Sequence, residues 1–135
     1  MSDATYRADT ASRPLENDET HRLISSAKVD GTYCYNSNGD QLGTVDHLMI
    51  DKISGKVEYV VLSSGGFLGL GDKLFAIPWS ALTLDTEGKR FVLDVSKDRL
   101  KNAPGFDKDH WPSMADTTWG GEVHRYYGVR PYWEL

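Results

Sequence analysis

One cysteine, Cys34, in 135 residues rules out an internal disulfide, so covalent cross-links do not hold this fold and a reducing, cytoplasmic setting is expected. Long apolar runs are missing as well. No window approaches the roughly 18 consecutive apolar residues that span a bilayer, and the polar stretch from Met1 to Thr10 holds no signal-peptide core. Neither a membrane span nor export is expected. Positive charge is scarce: 15 Lys and Arg face 20 Asp and Glu, a net charge of -5. That sign opposes a protein held by phosphates, so DNA is excluded as a partner and RNA is disfavoured. Four histidines, His21, His47, His110 and His124, are spread along the chain with no pair at the short spacing of a zinc motif. No metal and no cofactor are expected.

Thirteen glycines stand mostly at the ends of short β-prone runs, where chain reversals need residues that tolerate positive φ. Residues 1–22 mix Ser, Thr, Asp, Glu and Arg without apolar periodicity and read as a flexible leader. Residues 32–35 are the first clear strand, and Asn36-Ser37-Asn38-Gly39-Asp40 is a dense turn cluster. In residues 41–51 Val45 has one parity and Leu48 and Ile50 the other, a switch that a β-bulge near Asp46-His47 produces. Residues 56–62 carry valine on both parities, the pattern of a strand buried on both faces.

A glycine-rich loop through Gly66, Gly69 and Gly71 then leads into a strand at 73–77, which Pro78 ends because proline has no N–H to donate. Residues 82–85 and 90–94 pair across a turn at 86–89. Ser96 caps a single helical turn over 97–101, and Asn102-Ala103-Pro104-Gly105 stops it. The last thirty residues differ in character, with Trp111, Trp119, Trp133, Tyr126, Tyr127 and Tyr132. So aromatic a tail must pack on its own domain or on a partner subunit.

Candidate chemistry is thin. The glycine loop runs into a strand rather than a helix and is followed by Asp72, which repels phosphate, so it is no phosphate cradle. Asp46, His47 and Asp51 are close in sequence, but strand neighbours point to opposite faces, so Asp46 and His47 are not expected to converge. Cys34 lies between Tyr33 and Tyr35 as a small buried hydrophobe, with nothing nearby to lower its pKa. Lys97, Arg99 and Lys101 are interleaved with acid and read as a solvated face. Trp79, after Pro78, is expected to anchor in the core.

Joined in order, Gly39-Asp40-Gln41-Leu42-Gly43-Thr44-Val45, Ile50-Asp51, Ser54-Gly55-Lys56-Val57, Gly65 to Lys73, and Ile77-Pro78-Trp79-Ser80-Ala81-Leu82 resemble the signature of the PRC-barrel, the small β-barrel of the photosynthetic reaction-centre H subunit and of a ribosome-maturation factor. The resemblance covers about residues 23–103, and the ending is similar to that of small stand-alone bacterial members. It implies an all-β PRC-type barrel at 23–103 between the leader at 1–22 and an aromatic extension at 104–135. No catalytic residue comes with it. The resemblance points to a non-enzymatic protein-interaction or assembly module, a homodimer with a further protein partner to be identified. Its other branches imply an RNA or ribosome-assembly accessory, or an H-subunit-like electron-transfer accessory. The structural or interaction residues expected are Gly43, Asp51, Gly55, Gly66, Gly69, Gly71, Pro78, Trp79, Trp111, Trp119, Tyr126, Tyr127 and Trp133.

Overall fold

The computed structural model describes residues 23–65, 73–85 and 90–135. The leader at 1–22, the loop glycines Gly66, Gly69 and Gly71, and the turn at 86–89 lie outside the described residues. Seven strands form one sheet: β1 (Tyr33–Tyr35), β2 (Gln41–Ile50), β3 (Val57–Ser63), β4 (Lys73–Pro78), β5 (Leu82–Asp85), β6 (Arg90–Leu93) and β7 (Phe106–Asp107). Among the described residues three short helices accompany them, α1 (Ser26–Val29), α2 (Lys97–Lys101) and α3 (Thr117–Tyr126), with 3-10 turns at Trp79–Ala81 and Tyr132–Glu134.

The sheet order is β5-β6-β1-β2-β3-β4-β7, antiparallel except where β6 pairs parallel to β1. The fold is therefore mainly β, as expected. Among the described residues no ladder joins the edge strands β5 and β7, so the sheet does not close by hydrogen bonding. β2 is irregular: register shifts occur opposite Cys34/Tyr35, between Val45 and His47, and between Met49 and Ile50. Each shift bends the strand and increases its twist. The shift at Val45/His47 is the bulge that the change of parity predicts.

The two faces of the sheet are filled differently. Cys34, Leu42, Val45, Val60, Leu62, Phe75, Ile77, Phe91 and Leu93 fill one face, the inner one, with Val29 of α1 and Leu100 of α2. On the opposite face Tyr59, Val61, Leu74, Ala76 and Phe106 meet Val123 of α3, flanked by Met49, Met114, Trp119, Tyr127 and Tyr132. β3 alternates between the two: Val60 and Leu62 go one way, Tyr59 and Val61 the other, all at most 2% exposed. Its two-sided burial is what valine on both parities predicts.

Local chemistry fixes the connections. Asn36 Oδ1 accepts from the amides of Asn38 (3.0 Å) and Asp40 (2.9 Å), and Gly39 takes φ 87° to close the turn. Ser96 Oγ accepts from Arg99 N at 3.0 Å and caps α2 as expected. The C-terminal segment departs from the sequence reading, which assigns no element after 105. Phe106–Asp107 extends the sheet beside β4, and α3 forms a ten-residue helix capped by Asp116, whose carboxylate accepts from Thr118 N at 2.9 Å. Gly120 and Gly121 at the centre of α3 each lower helix propensity by about 1 kcal/mol. Burial of Val123 and His124 against the sheet overrides that deficit.

Candidate functional site

The residues that carry chemistry gather where the C-terminal segment lies on the outer face. At the centre is Tyr59 of β3, only 2% exposed, with Trp119, His124 and Tyr132 around its ring at centroid distances of 5.7, 5.5 and 5.8 Å. Burial pushes the Tyr59 phenol up, so it stays protonated. His124 is 1% exposed and its Nδ1 lies 2.7 Å from the Gly120 carbonyl oxygen. A carbonyl oxygen only accepts, so Nδ1 carries the proton in that bond. Gly120 is required here: a Cβ on it would stand 2.9 Å from the Trp133 ring and 3.1 Å from the Tyr59 hydroxyl.

Trp111 reaches from the segment after β7 to β2. It stacks on His47 (centroids 5.0 Å, interplanar 22°) and tilts against Phe106 at 4.9 Å. Beneath it His47 Nδ1 and Asp46 Oδ2 are 2.7 Å apart. These side chains do converge, against the expectation from strand alternation, because the bulge between Val45 and His47 breaks the alternation at that point. Trp111 caps the imidazole that an acid–base pair would present to a substrate.

At one end of the sheet the β2–β3 hairpin forms a rigid tip. The Asp51 carboxylate accepts from the amides of Ile53 (2.9 Å) and Ser54 (3.3 Å), and these bonds, that to Ile53 foremost, hold its pKa below the usual value. Gly55, at φ 79°, donates to the Asp51 carbonyl at 2.7 Å. Beside the tip, burial and the Asp51 charge raise the pKa of Glu58, and burial followed by Glu58 and Asp51 raises that of Tyr132. The hairpin and the C-terminal turn therefore share one end of the molecule. Two isoleucines project there, Ile50 at 53% and Ile53 at 94% exposure.

The remaining expected residues fall into distinct roles. Gly43 lies where β2 passes β3 so closely that a Cβ would be 2.4 Å from the Ser63 carbonyl oxygen. Pro78 ends β4 opposite Tyr59. Trp79 is 38% exposed and meets Phe91 edge-on at 5.8 Å, a rim position rather than the core anchor expected, because the 3-10 turn after Pro78 swings it outward. Trp119 packs in the outer core, Tyr127 touches both cores, and Trp133 lies over Gly120 with its ring partly exposed. Tyr126 clasps Arg99 of α2: its hydroxyl donates to the Arg99 carbonyl at 2.6 Å, while the guanidinium donates to the Tyr126 carbonyl at 2.5 Å. Cys34 is buried, and burial pushes its thiol up to about 12. It is a packing residue.

Among the described residues no cluster of three or more His, Cys, Asp or Glu could hold a metal ion, and no helix is long and apolar enough to cross a membrane. Sequence comparison decides the family, since the PRC-barrel domain matches residues 22–100. The chain belongs to the PRC-barrel family. The matched span agrees with the residues that carry the resemblance. An uncharacterised protein of Deinococcus radiodurans is 25% identical over 107 residues, which make up 76% of this chain and 38% of that protein. This PRC-barrel chain thus spans well under half of that relative. Among solved structures it is similar to the 16S ribosomal RNA processing protein RimM of Pseudomonas aeruginosa, at 16% identity and a TM-score of 0.42, over 64% of this chain and 50% of that one.

Proposed function

We propose that this PRC-barrel protein is a non-enzymatic interaction module that works as a homodimer, joined through the tip of the β2–β3 hairpin. The exposure of Ile53, 94% on a turn held rigid by the Asp51 carboxylate, carries the reading. A branched aliphatic side chain on a backbone held in this way binds with little further loss of backbone entropy. Ile50 widens the apolar patch, and two-fold pairing of tips covers both residues on both subunits.

The chemistry elsewhere in the domain favours contact over catalysis. The Cys34 thiol, at about 12, is not a nucleophile at neutral pH, and Trp111 stacks over the Asp46–His47 pair. A net charge of -5 weighs against a nucleic-acid partner. In this reading the C-terminal segment seals its own sheet and frees the hairpin end for a second copy, with a further protein as the client in an assembly or regulatory role in the cytoplasm. Hydrogen exchange at rising protein concentration tests it. Protection of residues 50–55 should grow with concentration while that of β3 stays constant; tip exchange independent of concentration contradicts the dimer.

A further inference from the structure

α3 carries two adjacent glycines that differ in what surrounds them. Gly120 is explained by the Trp133 ring and the Tyr59 hydroxyl above it. Among the described residues nothing requires Gly121: a Cβ there meets no atom within 4 Å, and its φ is not in the left-handed region. Glycine inside a helix is unfavourable relative to alanine, so this bare helix face has no packing reason among the described residues. It opens into a groove of about 670 Å³ between α3 and the C-terminal turn.

The groove has a definite chemistry. Arg125, one turn after Gly121 on the same face of α3, lines one wall, and Arg130, Pro131 and Trp133 line the other. Neither guanidinium has a carboxylate partner among the described residues; Arg130 donates to the Glu134 carbonyl oxygen at 3.2 Å. Glu134 is the acidic side chain in the lining. Two guanidinium groups without a carboxylate partner among the described residues thus line a groove that Gly121 also lines, in a chain whose net charge is -5.

We propose that this groove binds an acidic peptide segment of a partner protein. Carboxylates pair with Arg125 and Arg130 through the two-pronged geometry that guanidinium favours, the peptide backbone passes close over Gly121, and an apolar side chain rests on Trp133. Two guanidinium groups suit a segment with two or three carboxylates, which brings fewer negative charges against a molecule of net charge -5 than a polyphosphate does. This site goes beyond the hairpin-tip dimer and uses different residues.

The test is fluorescence anisotropy on the full chain with a fluorescein-labelled decapeptide in which Asp and Glu alternate with Leu and Ser, beside the same peptide with Asn and Gln in place of the acids. The acidic peptide should bind, and Arg125→Gln and Arg130→Gln should each weaken it about tenfold. Gly121→Ala should raise the melting temperature and still weaken the peptide, a combination that a purely structural glycine does not give. Equal affinity for the two peptides, or wild-type affinity in both Gly121→Ala and Arg125→Gln, overturns the proposal. So does tighter binding of a ten-nucleotide uridine RNA than of the acidic peptide. The groove variants should leave the subunit stoichiometry unchanged, so loss of peptide binding and loss of the dimer are read separately.

Discussion

Arg99 and Tyr126 hold each other at both ends. The Arg99 guanidinium donates to the Tyr126 carbonyl at 2.5 Å, the Tyr126 hydroxyl donates to the Arg99 carbonyl at 2.6 Å, and the guanidinium carbon lies 4.2 Å from the Tyr126 ring centroid. Twenty-seven residues separate them, so this clasp ties the last turn of α3 to α2 and seats the C-terminal segment on the domain. Tyr126→Phe removes one partly exposed hydrogen bond and should cost about 1 kcal/mol in urea unfolding. Hydrogen exchange in α3 should speed up more than in β3. Equal acceleration in both would show that the clasp does not act on the segment.

The neighbouring glycines of α3 should respond to alanine with opposite sign. Gly121→Ala gains helix propensity with no contact to disturb and should stabilise by roughly 0.5–1 kcal/mol. Gly120→Ala drives a Cβ to 2.9 Å from the Trp133 ring and 3.1 Å from the hydroxyl of the buried Tyr59. Overpacking there should outweigh the propensity gain, for a net loss of about 1 kcal/mol. Thermal melts of the two variants decide it, and shifts of the same sign would mean that the cluster yields freely.

A larger effect is expected at Gly43. Alanine would place its Cβ 2.4 Å from the Ser63 carbonyl oxygen, a backbone atom at the end of the β2–β3 ladder where Ser63 pairs with Thr44. The strands must separate, and the expected cost is about 3 kcal/mol or more. A chemical melt of Gly43→Ala within 1 kcal/mol of wild type would contradict the close approach.

Glu58 and Asp51 should give opposite pH dependence. Burial, with the Asp51 charge, raises the folded-state pKa of Glu58 above its ordinary 4.5. Its contribution is therefore fully present below that pH and lost as pH rises through the folded value. Glu58→Gln removes this loss and should raise the melting temperature at pH 7, with the gain shrinking toward pH 4. Asp51 has its folded pKa below 3.8, lowered by its bonds to the Ile53 and Ser54 amides. Its stabilisation is present above 3.8 and disappears as pH falls through the folded value. Asp51→Asn should therefore destabilise at pH 7 and matter little in strong acid. Melting curves between pH 3 and 8 check both signs.

Patterns that act locally could be read from the chain. The change of parity in β2 located its bulge, valine on both parities marked β3 as buried on two faces, and Ser96 announced α2. What could not be read depends on partners distant in sequence. The parallel pairing of β1 with β6 joins Cys34 to Phe91 across the intervening strands, and no local signal encodes it. α3 was hidden because Gly120 and Gly121 sit where propensity argues against a helix, and only the Tyr59 hydroxyl and the Trp133 ring explain the first of them. The Asp46–His47 pair is instructive in another way. The bulge was legible, but its consequence, two adjacent side chains meeting at 2.7 Å, follows only when strand alternation is abandoned at that bulge. The C-terminal aromatics signalled burial without naming the surface: Trp119, Tyr127 and Tyr132 pack on the outer core and Tyr126 and Tyr127 on the inner one, while Trp111 and Trp133 stay partly exposed.

The reading of this chain as a dimeric interaction module stands or falls on its state of association. Sedimentation velocity of the full chain over a wide concentration range, beside Ile53→Asp, measures it most directly. The wild type should sediment as a dimer that dissociates on dilution, and Ile53→Asp as a monomer with an unchanged β-rich circular dichroism spectrum, since the side chain is 94% exposed and supports no core. A wild type that stays monomeric at every concentration, or an Ile53→Asp variant that remains as dimeric as wild type, contradicts the account.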